Sequence, residues 1–264
     1  MLDYCGIDGS ILDFNYESEI REKMVFNPDY AEFPCPIEKI RNGEIPTLEE
    51  VLLDAKLKND AGKKMQIKIE MKGPDVVEDV LELVDSLGVA SMCSYSSFDL
   101  SKIKKVRELK PEREENGEYL YKTGALFNNI DGNGKILDDD YSPIHSVLNW
   151  SECDIIDRAL AVGASEIHLK YDTCKKPLID RIHSNGLGSM AWFRGPIGMT
   201  EDCSIKYKDV GNEDASMYEA LMHTGVQQLC VNKPDLLIAL RERQQLQQQQ
   251  VQQITQKLEQ MVQS

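Results

Sequence analysis

The sequence is short of the features that mark several ligand and partner classes. Basic residues number 30 against 45 acidic ones, for a formal charge of −15. Nucleic-acid binding depends on clustered cations that displace counterions from phosphates, so no DNA or RNA partner is expected. The acidity fits either a divalent-cation site or simple solubility. The seven cysteines, Cys5, Cys35, Cys93, Cys153, Cys174, Cys203 and Cys230, form no Cys-x-x-Cys pair. An odd, scattered set reads as reduced thiols of a cytoplasmic or other reducing intracellular compartment, and not as a disulfide framework or zinc site. The start lacks a basic segment followed by an apolar run, and no stretch of 18 apolar residues occurs, so neither a leader nor a membrane span is expected. Histidine is scarce too: His145, His168, His183 and His223 are the whole supply.

What remains is ordinary globular composition, 41% hydrophobic and 28% charged over 264 residues, enough for one barrel-sized domain of about 250 residues. Short apolar runs alternate with helical patterns, the signature of βαβ units and a parallel sheet. Strands are expected over Ser10 to Phe14, Met24 to Asn27, Met65 to Lys72, Ala90 to Ser96, Tyr121 to Asn128, Glu166 to Asp172, Ser189 to Gly195 and Gln228 to Asn232. After Pro74 an apolar stripe of Val76, Val77, Val80, Leu83, Val84 and Leu87 predicts a helix closed by Gly88. Thr47 with Glu50 three residues on predicts a capping box. Further helices are expected over Leu100 to Leu109, Ile155 to Val162, Lys176 to Ser184, Met217 to Met222 and from Asp235 onward. About eight strand-then-helix units favour a TIM-type (β/α)8 barrel over residues 1–243, with a doubly wound sheet as the alternative.

Two segments stand apart. From Gln244 to Ser264 the chain is glutamine-rich, yet Val251, Ile254, Leu258 and Met261 fall at alternating spacings of 3 and 4, a short heptad seam. A frayed terminal helix and a coiled-coil contact to a protein partner or second copy both fit. In Asn129 to Asp140, the oxygens of Asn129, Asp131, Asn133 and Asp140, with Gly134 at the sixth position, resemble a calcium loop. The twelfth position is Asp where Glu is usual, and a polar Gly-Asn turn needs no ion.

The segment Lys68-Ile-Glu-Met-Lys-Gly73 carries the most chemistry. Side chains alternate along a strand, so Glu70 and Lys72 share a face at the carboxyl end of a barrel strand. There Glu70 could hold a divalent cation, Mg or Ca, while Lys72 binds a phosphate oxygen; an exposed ion pair on an edge strand is the alternative.

Gly-Ile-Asp-Gly-Ser-Ile-Leu-Asp-Phe at Gly6 to Phe14, Met-Val-Phe-Asn at Met24 to Asn27, Ile-Pro-Thr-Leu-Glu-Glu-Val-Leu at Ile45 to Leu52, Ile-Glu-Met-Lys at Ile69 to Lys72, Ser-Ser-Phe at Ser96 to Phe98 and Gly-Val-Gln-Gln-Leu-Cys-Val-Asn-Lys-Pro-Asp at Gly225 to Asp235 follow one another in a meaningful order. Together they resemble the glycerophosphodiester phosphodiesterase family. The resemblance implies a (β/α)-barrel of lipid metabolism that cleaves a phosphoric diester to glycerol phosphate and an alcohol. It also implies two histidines as general acid and base around a cation held by carboxylates. By the same resemblance, Asp13 and Glu70 are the carboxylates carried over as metal ligands, and Trp192 in Met190-Ala-Trp-Phe-Arg194 lines the pocket mouth or sits in the core.

The departures from the family fall on its catalytic groups. The sequence begins after the place of the family's first strand and its His-Arg-Gly, as either a divergent or an N-terminally incomplete member would; in both cases Ile11 stands where a Glu is usual, and Asn27 replaces a His. Neither isoleucine nor asparagine can do the work of the group it replaces. His168, alternating with Lys170 and Asp172, is the candidate to take over proton transfer, with a structural role as the alternative. The expectation is a hydrolase-like domain with weak or no activity, or a pseudoenzyme serving as a structural or interaction subunit. Sphingomyelinase-D-type chemistry resembles the same pattern and needs the same missing histidines.

Overall fold

The computed structural model describes residues 13–21, 46–128, 130–136, 154–193, 197–199, 205–207 and 213–263. The chain divides into two compact units, Met1–Met65 and Gln66–Ser264. In the first, Asp13 lies in a 3-10 turn and Phe14 in a bend, where the end of a strand was expected. The reason is local: Asn15 accepts the Ser18 amide through its side chain and opens a π-helix, Tyr16–Ile20. The rest of that expected strand, and all of the one over Met24 to Asn27, lies outside the described residues. Helix α1, Leu48–Asp60, begins with the full capping box: Thr47 Oγ1 accepts the Glu50 amide at 3.2 Å, and Glu50 accepts the Thr47 amide at 2.8 Å.

In the second unit, six parallel strands follow one another in chain order: β1 (Ile67–Glu70), β2 (Cys93–Ser97), β3 (Lys122–Phe127), β4 (Glu166–Lys170), β5 (Gly188–Trp192) and β8 (Gln228–Cys230). Between them run α2 (Val77–Leu87), α3 (Leu100–Leu109), α4 (Ile155–Ala161), α5 (Lys176–Ser184) and α6 (Ala215–His223). Helix α2 ends where glycine permits it, with Gly88 left-handed at φ 65°. A sheet that is parallel throughout and ordered by sequence, with a helix in each of its five crossovers, is an incomplete (β/α)-barrel and not the doubly wound alternative, whose strand order would reverse. An antiparallel pair, β6 (Ile197–Met199) with β7 (Ile205–Tyr207), was not expected; its three-residue strands are too short for a period-two pattern to stand out.

Strand parity sets the layers. Tyr95, Ala125, Ile167, Leu169 and Ala191 share one face and are fully buried, as a helix-covered surface requires. The opposite face carries Lys68, Glu70, Gly124, Glu166, His168, Lys170, Met190, Trp192, Gln228 and Cys230. This face lines the lumen. The last helix, α7 (Pro234–Gln263), contains the glutamine-rich tail within one continuous 30-residue helix. Among the described residues no helix is long and apolar enough to cross a membrane.

Candidate functional site

Four lumen side chains from three strands converge. Lys68 Nζ on β1 donates to Glu166 Oε2 on β4 at 2.6 Å, and Gln228 Nε2 on β8 donates to Glu166 Oε1 at 2.8 Å. His168 Nε2 lies 2.8 Å from Glu166 Oε2 and 3.4 Å from Lys68 Nζ. Strands β1 and β4 are three places apart, about 14 Å in a flat sheet at about 4.8 Å per step, so the sheet curls to bring them within reach.

Charge inside this cluster is balanced. Burial alone would raise the Glu166 carboxyl, but the His168 hydrogen bond and the Lys68 charge outweigh it and hold the pKa down to about 2. Burial pushes His168 the other way, below its ordinary value, with Lys68 adding to the shift and Glu166 opposing it. A neutral imidazole donating its Nε2 hydrogen to Glu166 satisfies both. Its Nδ1 is buried with no hydrogen-bond partner. The ring lies against Gly124, where a Cβ would overlap it and come within 2.8 Å of Nδ1; Gly188 gives the same clearance to Glu166, whose Cγ would lie 3.0 Å from an added Cβ. Two glycines inside strands thus make room for a polar lumen.

Nearer the carboxyl ends, Glu70, which ends the edge strand β1, meets Lys72 two residues beyond it as an ion pair at 3.4 Å, with side chains 34% and 76% exposed; the strand is shorter than the expected Met65 to Lys72. Trp192 ends β5, 8% exposed, with Phe98 edge-on at 5.9 Å and its indole N–H buried without a partner. Lys170 pairs with Asp172 at 2.9 Å; Asp172 has left the expected strand for a 3-10 turn, Tyr171–Thr173, whose Thr173 hydroxyl donates to the Lys170 carbonyl at 2.7 Å. Glu213 is buried and accepts from Tyr218 Oη, the Asn232 amide at 2.9 Å and the Asn232 side chain.

Glu70 and Lys72 thus pair at the carboxyl end of β1, and Trp192 stands at the carboxyl end of β5. Asp13 is exposed in the other unit. Ile11, Asn27, Asn129, Asp140 and His145 lie outside the described residues. Asp131 Oδ1 accepts the amides of Asn133 and Lys135, each at 2.8 Å, inside a tight turn flanked by an Ile130–Ile136 bridge. His183 lies 2.8 Å from Ser189 Oγ, and His223 Nδ1 bonds the Glu219 carbonyl. Among the described residues no three or more His, Cys, Asp or Glu converge as a divalent cation would require. Glu70 is the single expected ligand on the described sheet. Sequence reasoning missed Lys68, Glu166 and Gln228 as one group. Period two puts Glu166 on the face of His168, but nothing local pairs β4 with β1.

A polar cleft of about 530 Å³ opens at the opposite end of the strands, lined among others by Arg113, Lys122, Glu166 and Gln227. In barrels of this kind chemistry sits at the carboxyl ends, and the amino-terminal end serves stability, so the Glu70 end is the candidate site.

Solved structures share this fold. A candidate glycerophosphodiester phosphodiesterase of Silicibacter pomeroyi superposes with a TM-score of 0.55 at 14% identity, over 86% of this chain and 68% of its own. One from Galdieria sulphuraria gives 0.53 at 17% identity, over 78% and 69%. A glycerophosphodiester phosphodiesterase of Parabacteroides distasonis gives 0.50 at 15%, over 87% and 76%. The fold is that of the glycerophosphodiester phosphodiesterases. No protein-family model matches the sequence, and no curated protein sequence matches it significantly. At such identities the phosphodiesterase fold is what is shared, and the activity has to be argued from the site.

Proposed function

We propose that this chain is a glycerophosphodiester phosphodiesterase-like domain that holds a small phosphodiester at the carboxyl end of its sheet and hydrolyses it weakly or not at all. Lys72 would meet a phosphate oxygen, Glu70 a cation or a ligand hydroxyl, and the free indole N–H of Trp192 would donate to the ligand. The observation that carries the reading is His168. Among the described residues it is the histidine of the lumen, yet it is fully buried, held below its ordinary pKa by that burial and committed through Nε2 to Glu166, so it is badly placed to deliver a proton to a leaving alkoxide at the mouth. Each positioned general acid or base contributes roughly 10²- to 10⁴-fold, so a site without one turns over near background. A purely structural subunit is the second reading, favoured by the apolar residues exposed along α7.

The test is hydrolysis of glycerophosphocholine by the full chain, with magnesium or calcium and then with EDTA, beside a Glu70→Ala variant. We expect no turnover above that variant, together with binding of glycerophosphocholine that weakens in Lys72→Ala. Metal-dependent turnover abolished by Glu70→Ala would overturn the reading, and binding indifferent to Lys72 would move the ligand elsewhere.

A further inference from the structure

Helix α7 continues well beyond its own contacts. Its first turns pack against α6, where Leu240 of α7 and Leu221 of α6 are both buried, while Leu246, Val251 and Ile254 are exposed, the last two at 62% and 59%. The face that packs does not stop there. Leu237, Leu240, Gln244, Gln247, Val251, Ile254, Leu258 and Met261 alternate at spacings of 3 and 4, one unbroken seam along the helix. Where the seam leaves α6, a groove of about 680 Å³ opens, lined by Glu219, Met222, His223, Gln244, Gln247 and Val251, among others.

We propose that a second copy of this chain covers this seam, its α7 running antiparallel and its tip filling the groove. Three observations select that occupant. At the level of Leu237 and Leu240 the seam is already taken by α6, so a parallel partner helix has no room at its start. An antiparallel one meets Val251 with Ile254 at the centre and brings Leu258 and Met261 of one copy over Gln247, Gln244 and Met222 of the other. Charge points the same way. Residues 244–264 contain one Lys, one Glu and no other charged side chain, whereas the whole chain carries −15. The tail is the neutral surface of an acidic protein, where two copies can meet without repulsion. In the antiparallel arrangement the two Leu240 residues stand about 25 residues apart along the coil, roughly 38 Å at about 1.5 Å per residue. That is several times the Debye length of about 8 Å at physiological salt, so the acidic barrels are screened from each other. A parallel pair would set them side by side.

Sedimentation of the full chain across a concentration series tests this. A monomer–dimer equilibrium is expected, abolished in a Val251→Glu, Ile254→Glu variant whose thermal unfolding of the barrel is unchanged. Met222→Asp should weaken the dimer severalfold. A benzophenone amino acid at position 261, in a mixture of isotopically light and heavy chains, should crosslink between copies to residues 219–248. Monomer at every concentration, a dimer indifferent to the glutamates, or crosslinks confined to residues 258–263 of the other copy would each overturn the proposal.

Discussion

The imidazole of His168 lies against Gly124 because the neighbouring strand offers no Cβ, and one methyl group is enough to test that arrangement. In Gly124→Ala the added carbon would overlap the ring, which is fully buried and held through Nε2 by Glu166. Overpacking of this kind costs about 1–3 kcal/mol, and denaturant unfolding should register a loss of that size. Adding His168→Ala to the variant should recover part of the loss, since the two positions are in contact and their effects cannot be additive. A neutral Gly124→Ala would mean that the ring is not where the structure has it. At this scale the sequence was readable only in part. Glu70 and Lys72 announce themselves by period two in a single strand. The groups that meet His168 and Glu166 come from β1 and β8, and a contact spanning 100 residues leaves no trace in local spacing.

Elements were far more legible, because what fixes them is local. The capping box at Thr47, the helix over 100–109 bounded by Asp99 accepting the Ser101 amide, and the helix over 176–184 all fall where propensity and caps dictate. Strand ends were read too long, as at Asp172, since turn chemistry from a single threonine hydroxyl decides them. How elements are fastened to one another was not legible at all. Arg107 on α3 donates through Nε to the Gly163 carbonyl at 3.0 Å and through Nη2 to Thr123 Oγ1 at 3.0 Å and the Tyr121 carbonyl at 3.3 Å. The Tyr119 ring lies 3.1 Å from its guanidinium carbon, and Arg113 stacks on that ring from 3.7 Å. One planar fork thus ties α3 to the start of β3 and to the loop before β4. Lysine keeps the charge but neither the fork nor the flat face, so Arg107→Lys should be nearly as damaging as Arg107→Ala, about 2–3 kcal/mol. A lysine variant as stable as the parent would show that charge alone mattered.

For the molecule as a whole, repeated strand-then-helix units were enough to reach the barrel, and they are also what survives in structural relatives at 14–17% identity. Its polar lumen makes stability depend on pH in a direction that can be worked out. An unfolded histidine takes up its proton near 6.5, whereas burial holds folded His168 lower, so below that pH the unfolded state binds more protons and stability falls. Glu166 acts in a second window: its contribution is complete above about 4.5, its ordinary value, and is lost as the pH falls from there through about 2. Both losses have the same sign. A third effect opposes them, because protonating carboxylates reduces the −15 charge and its self-repulsion. Melting curves of the parent protein alone therefore mix the two directions. Comparison with His168→Gln separates them, since glutamine can still donate to Glu166 but cannot titrate. Between pH 7.5 and 5.5 the parent should lose stability relative to the variant, by at most about 1.4 kcal/mol for each pH unit below 6.5. Parallel curves for the two proteins would mean that His168 takes up its proton as readily in the folded as in the unfolded chain, and with that the case for a spent lumen histidine would fail.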